Sequence, residues 1–223
     1  MPTYNQGKYL ENCLKAINFQ TFKDYELIIV NDGSSDDTEK VIKEEMKKNY
    51  RIRYFEREHG GDRGISALNF GLTQTRGKYL TFLSSDNMYF SKFFEKLSQI
   101  LRDTRADFVF ADFLQMDMDG QIVYEFLRPE YLRGPFTIEH LKFGYTMGIC
   151  FMYTREIKEK VGEYRDVTCS DYEMAVRMAL KGAEFYHLES ILGVNRQHDK
   201  QVSKMEKMEK DVENVQNLAQ GLR

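Results

Sequence analysis

The stretch Leu27-Ile28-Ile29-Val30-Asn31-Asp32-Gly33-Ser34-Ser35-Asp36-Asp37-Thr38 decides the reading of this 223-residue chain. Four consecutive apolar residues, Leu27 to Val30, are too short for a helix and suit a strand buried on both faces of a parallel sheet. The turn after it offers carboxylates and backbone N–H groups, and Asp32 falls at the strand's C-terminal end. In open α/β sheets the ligand crevice lies outside those ends, so the junction is a place to hold a nucleotide. Ser34, Ser35, Asp36 and Asp37 are N-cap candidates for a helix over 38 to 48. A plain strand-turn-helix with a capping Asp fits these residues equally well.

Working outward, Tyr9, Leu10, Cys13, Leu14 and Ile17 recur at helical spacing, predicting an amphipathic helix over 7 to 18. Strand 25 to 31, helix 38 to 48, strand 52 to 55, a Gly-rich loop, helix 65 to 75 and strand 79 to 83 then alternate as βαβ units, hence a mostly parallel sheet. Helix 91 to 102 and strand 108 to 111 continue the rhythm. Asp119-Gly120 between alternating apolar residues predicts a hairpin, and Asp117-x-Asp119-Gly120 lacks the remaining ligands of a calcium loop. Short helices are expected at 137 to 143 and 154 to 161. A helix follows over 171 to 181, closed by Gly182, then a strand over 184 to 188.

Composition narrows the function classes. Lys and Arg number 32 against 35 Asp and Glu, a net charge of −3, so the overall basic field that favours nucleic acid is missing. Cys13, Cys150 and Cys169 are odd in number and widely spaced, against a disulfide framework or zinc ribbon. No apolar run approaches the roughly 18 residues of a membrane span, and no signal core opens the chain. The expectation is a soluble cytoplasmic protein.

Two further sites carry carboxylates. Tyr79 to Asn87 repeats the arrangement at Asp32: an apolar strand delivers Ser84-Ser85-Asp86-Asn87 at its tip. Asp86 suits a hard divalent cation whose other ligands are phosphate oxygens and water, although Ser-Asp-Asn is also common turn chemistry. Asp171 opens a predicted helix, where a carboxylate also acts as a cap.

Taken in order, these pieces resemble the family 2 glycosyltransferases of the GT-A fold, from residue 1 to about residue 200. The resembling motifs are Pro2-Thr3-Tyr4-Asn5, Gln20-Thr21, Glu26 to Thr38, Arg63-Gly64-Ile65-Ser66-Ala67-Leu68-Asn69-x-Gly71, Gly77-Lys78-Tyr79 with Ser84 to Asn87, Gly148 to Arg155 with Val161-Gly162, Ser170-Asp171, and Asn195-Arg196-Gln197-His198. The resemblance implies a three-layer α/β/α domain over 1–202, with a nucleotide-binding part over 1–111, an acceptor-binding part over 112–202, and a helix or linker over 203–223. It implies a nucleotide-sugar donor, expected to be UDP-linked, bound by Pro2, Thr3, Tyr4, Asp32, Arg63 and Ser85. It also implies Mg²⁺ or Mn²⁺ held by Asp86 and His198, and Asp171 as the base of an inverting transfer. The acceptor would be a glycan, a lipid-linked molecule or another hydroxyl compound, with peripheral attachment to the inner membrane face and oligomerisation left open.

The chain departs from the family pattern in three places. Only Met1 precedes Pro2 where the family places an apolar strand, so the expectation is that the first central strand is absent, leaving an open apolar slot, and that the chain is shortened relative to the functional protein. Ser84 and Ser85 stand where carboxylates often occur, and Ser170 replaces a Glu. A catalytically silent nucleotide-sugar-binding domain is the competing expectation; a sugar-phosphate nucleotidyltransferase fits less well, since its Gly-rich N-terminal phosphate loop is missing. Tyr89, Phe90, Phe143 and Tyr145 are candidates to stack on an acceptor sugar.

Overall fold

The computed structural model describes residues 1–117, 119–125, 136–144, 147–198 and 207–222. Strand β2 (Leu27–Asn31) is the buried strand that the apolar run predicts. It pairs in parallel with β1 (Pro2–Thr3) on one side and β3 (Ile52–Glu56) on the other. Successive side chains of β2 leave on opposite faces. Leu27 and Ile29 join Leu10, Cys13, Leu14 and Ile17 of α1 (Gly7–Asn18), while Ile28 and Val30 meet Ala67 of α3 (Ile65–Thr73). Helix, sheet and helix thus form three layers. Gly71 is the close contact between α3 and β2, since a Cβ there would lie 3.1 Å from Val30 Cγ2.

The second sheet is mixed. Its order is β4 (Tyr79–Leu80), β8 (Phe151–Thr154), β6 (Phe108–Met116), β9 (Phe185–Arg196) and β5 (Met88–Tyr89), with β7 (Ile122–Glu125) paired to β6. β6 runs parallel to β9 and antiparallel to β8 and β7. α2 (Thr38–Met46), α4 (Phe93–Asp103), α5 (Arg155–Val161), α6 (Ser170–Leu180) and α7 (Met208–Ala219) complete the order. Met174, Val176, Met178 and Ala179 of α6 are buried as expected, and Val215 and Ala219 of α7 join their cluster.

Several expectations need correction. The strand over 184 to 188 runs on to Arg196, because its pairing with β6 continues through register shifts around Asp112 despite Glu189, Ser190 and Gly193. β4 is shorter than expected, ending at Leu80. The backbone N–H groups of the turn after β2 do not await a ligand: Ser34 N–H donates to Asn31 Oδ1, Ser35 N–H to Asn5 Oδ1 and Thr38 N–H to Asp36 Oδ1. Asp36 also accepts from Gly7 N–H, so the turn ties together the starts of α1 and α2. Tyr89 is no sugar platform; it is 2 % exposed, and its hydroxyl accepts from Ser84 N–H. Phe90 and Phe143 are exposed, whereas Tyr145 and residues 203–206 lie outside the described residues.

β1 is two residues long. Its ladder begins where Val30 N–H donates to Met1 O, and the Met1 amino group donates to Ile28 O. Behind Met1, an apolar cavity of about 330 Å³ separates Leu27 and Ile28 from Tyr79, Leu80 and Thr81. No helix among the described residues is long and apolar enough to cross a membrane.

Candidate active site

The C-terminal ends of β1 and β2 open into a cleft of about 500 Å³. Pro2, Thr3, Tyr4, Asp32, Arg63, Ser85 and Asp86 all line it, so the residues expected to bind donor and metal come together from four separate segments. Asp32 is 1 % exposed, and its backbone N–H continues the ladder by donating to Thr3 O. Its carboxylate accepts from His59 Nδ1 at 2.8 Å and more distantly from Gly60 N–H. The His59 ring lies flat on Tyr4, with centroids 3.9 Å apart and planes 10° off parallel.

Asp86 sits on a turn fixed from three sides. Ser84 N–H donates to Tyr89 Oη, Cys13 Sγ–H to Ser84 O, and Arg196 N–H to Asn87 Oδ1. That last bond joins the turn to the end of β9, which delivers His198. His198 Nε2 lies 3.0 Å from Asp86 Oδ2, and the imidazole is buried. The two residues expected to hold a metal are therefore neighbours although 112 positions apart.

A second cleft of about 410 Å³ shares Pro2, Gln6, Arg63, Ser84 and Asp86 with the first and extends to Ser170, Asp171, Asn195 and Gln197. Asp171 lies in the first turn of α6, where its Oδ1 accepts from Tyr172 N–H. The loop before α6 is held by three devices. Arg177 pairs with Glu173 through two bonds of 2.7 and 2.8 Å while also donating to Val161 O and Glu163 O. The Asn69 side-chain amide exchanges two bonds with the Tyr164 backbone, tying α3 to this loop. Asp211 of α7 accepts from both the N–H and the hydroxyl of Thr168, and that backbone donor holds its carboxyl below the usual range. Arg63, at the entry to α3, pairs with Asp166 across the same gap.

The cleft walls carry polar atoms that have no hydrogen-bond partner among the described residues. They are Thr3 Oγ1, Gln6 Oε1 and Arg63 Nε, all buried. Such atoms are costly unless a ligand or water satisfies them, and these three face one region. Among the described residues no group of three or more His, Cys, Asp and Glu could hold a metal ion. The donors present still fit a divalent cation that takes its remaining ligands from a diphosphate. Asp86 Oδ2 and His198 Nε2, 3.0 Å apart and in contact with each other, supply a carboxylate and an imidazole of the kinds that could join such a set.

Residues 1–162 match the family model described as Glycosyl transferase family 2. The chain belongs to this family. Glycosyltransferase GlyA of Streptococcus pneumoniae serotype 4 is 33% identical over 132 residues, covering 59% of this chain and 19% of the relative. An uncharacterized glycosyltransferase of Rickettsia conorii is 28% identical over 214 residues, 92% of this chain and 34% of the relative. The chain spans between about a fifth and two fifths of the length of the first four curated relatives. S. aureus TarS in complex with UDP-GlcNAc matches with TM-score 0.79 at 14% identity, covering 96% of this chain and 63% of that one. The mannosyltransferase PcManGT from Pyrobaculum calidifontis, in complex with GDP-Man and Mn²⁺, matches with TM-score 0.69 at 18% identity, covering 89% and 56%. These likenesses establish the GT-A fold.

Within this family 2 chain, the motif residues divide into two kinds. Gln20 is fully buried and brackets the entry to α4, donating to Tyr89 O and Phe90 O and accepting from Phe94 N–H. Asn69 likewise acts on backbone. Asp32, Asp86, Asp171 and His198 instead face the clefts or each other. His59, Gln6, Asp166 and Asp211 were missed from the sequence. His59 is one of only four histidines and lies in the Gly-rich loop, but no spacing rule links it to Asp32, 27 residues earlier.

Proposed function

We propose that this chain transfers a sugar from a UDP-linked donor to an acceptor hydroxyl with inversion at the anomeric carbon. The observation that carries the reading is the convergence of Asp32, Asp86 and Asp171 on two adjoining clefts that share Arg63, with His198 beside Asp86. Neighbours of the same fold bind UDP, UDP-GlcNAc or GDP-Man with Mn²⁺, which supports a nucleotide-sugar and a divalent cation here.

In this reading residues 1–111 hold the donor and residues 112–202 the acceptor. Tyr4 and Asp32 orient the base, Thr3 and Ser85 lie beside the ribose and phosphates, and the Arg63 guanidinium offers charge to the diphosphate. Asp86 and His198 would hold Mg²⁺ or Mn²⁺, which as a Lewis acid stabilises the diphosphate as it leaves. Asp171 accepts the proton of the acceptor hydroxyl while its oxygen bonds to the anomeric carbon and the bond to the diphosphate breaks. Products are the glycoside and the nucleoside diphosphate.

Asp171→Asn tests the assignment. Turnover should fall about 10³-fold, within the range for a lost general base, with donor affinity measured by calorimetry unchanged. Full turnover by the variant would sink the role of Asp171. Donor binding without turnover by the wild-type chain across acceptors would instead favour a silent binding domain.

A further inference from the structure

His59 makes, inside the protein, the contacts that a nucleobase would need. Its ring lies against Tyr4 at 3.9 Å and nearly parallel. Its Nδ1 lies 2.8 Å from Asp32 Oδ2 and 3.1 Å from Asp32 O. Both partners accept, so Nδ1 carries the hydrogen and donates. The result is a flat heteroaromatic ring stacked on a tyrosine and giving a ring N–H to a buried carboxylate. Uracil, through N3–H, and guanine, through N1–H, present that same combination; adenine and cytosine have no ring N–H on the pairing edge.

The backbone is built for this close approach. Gly33, directly after Asp32, has φ +75°, and a Cβ there would lie 2.8 Å from His59 N. A side chain at position 33 would push the His59 loop away. On the other side, Gly60 and Gly61 follow His59; Gly61 has φ +69° and open space around it. Two glycines in succession give the loop a ready hinge. The His59 side chain is 40% exposed, whereas that of Asp32 is 1% exposed, so a ligand reaching the carboxylate must pass the imidazole.

We propose that His59 occupies the base position of the donor cleft as an internal surrogate, and that a uracil or guanine base binds by displacing it from Tyr4 and Asp32. The inference rests on the reading of this cleft as a nucleoside diphosphate site and adds which atoms the base takes over. It makes His59 a determinant of donor affinity that acts against binding: the free protein keeps its base site filled and its carboxylate satisfied, and part of the ligand's interaction energy goes into releasing the loop.

Calorimetry on the full chain and His59→Ala, with uridine, UDP, cytidine and inorganic pyrophosphate in Mn²⁺, tests this. Ala should bind uridine and UDP about tenfold more tightly, because one stacked pair and one hydrogen bond no longer have to be broken. Pyrophosphate affinity should not change, and cytidine should bind poorly to both. A second measurement uses the unmutated chain. The His59 ring-proton resonances should lie upfield through the Tyr4 ring current and move to exposed-histidine positions on saturation with UDP. Weaker UDP binding by His59→Ala, or a His59 resonance unmoved by bound UDP, overturns the displacement while leaving the nucleotide site intact. Absence of nucleotide binding by both proteins overturns the site itself.

Discussion

The two-residue strand β1 separates two cavities whose walls are opposites. Behind Met1 lies a space of about 330 Å³ faced by Leu68, Leu72, Leu80, Phe94 and Met152; beyond Pro2 and Thr3 lies one of about 500 Å³ faced by Asp32, His59, Arg63 and Asp86. The first is walled mostly by apolar side chains, which offer a ligand few directed bonds. The second is bounded by polar atoms from distant segments, several of them buried with no partner among the described residues. Volume alone does not make a site. Convergent, under-satisfied polarity does, because evolution otherwise removes it.

If the contrast is sound, changes in the polar cleft should alter chemistry and leave stability alone, while changes in the apolar one should do the reverse. After Asp171→Asn, the largest effect is expected for Asp86→Ala, with turnover of the proposed reaction reduced by about 10²- to 10³-fold in steady-state assays, comparable to losing one preorganised electrostatic partner. Its melting temperature should stay near wild type. A loss of fold instead would merge the two regions.

The Met1 amino group tests the apolar side. Burial lowers its pKa from 8.0 to about 5. Below about pH 8 the unfolded chain gains a proton that the folded chain refuses, so a polypeptide with a free amine at Met1 should lose stability as pH falls from 8 to 5, then level off. The full drop corresponds to at most about 4 kcal/mol. Acetylation at Met1 should abolish the slope in denaturant titrations; an identical slope would show that the amine is solvated.

A smaller gain is expected from filling. Ser98, buried on α4 at the apolar cavity, spends its hydroxyl on Glu95 O of its own helix. Ser98→Leu should stabilise by about 1 kcal/mol in thermal melts, as cavity filling commonly does, with turnover unchanged. The smallest effect concerns Asp211. Its carboxyl is held low by Thr168 N–H, so any stability advantage over Asp211→Asn exists at neutral pH and fades as pH drops below the ordinary carboxylate range. A constant difference across pH would remove the charge from that account.

Sequence periodicity revealed most of the N-terminal half. The buried run Leu27 to Val30 and the stripe Leu10, Cys13, Leu14 and Ile17 each follow one period without interruption, so local pattern and tertiary role agree. β9 was legible only at its start, because its later residues gain strand geometry from pairing with β6 rather than from their own pattern. The same holds for the site. Asp32 and Asp171 stand at element ends and Asp86 in the turn before β5, where position in the pattern signals them. His59 sits in a loop, and its role comes from a meeting with Tyr4 and Asp32 that no linear spacing encodes. The turn N–H groups misled for the converse reason: Asn5 and Asn31 consume them, and Asn5 arrives from another segment.

β1 is also a shared wall. Met1 O and Thr3 O accept in turn from Val30 N–H and Asp32 N–H, one end of the same short ladder bordering each cavity. Fraying of this ladder at the apolar end loosens the Thr3 and Tyr4 backbone at the other, and anything that pins Tyr4 holds the ladder closed. The amide hydrogens of Val30 and Asp32 therefore report on both cavities at once: a nucleotide seated in one should slow their exchange with deuterium beside the other.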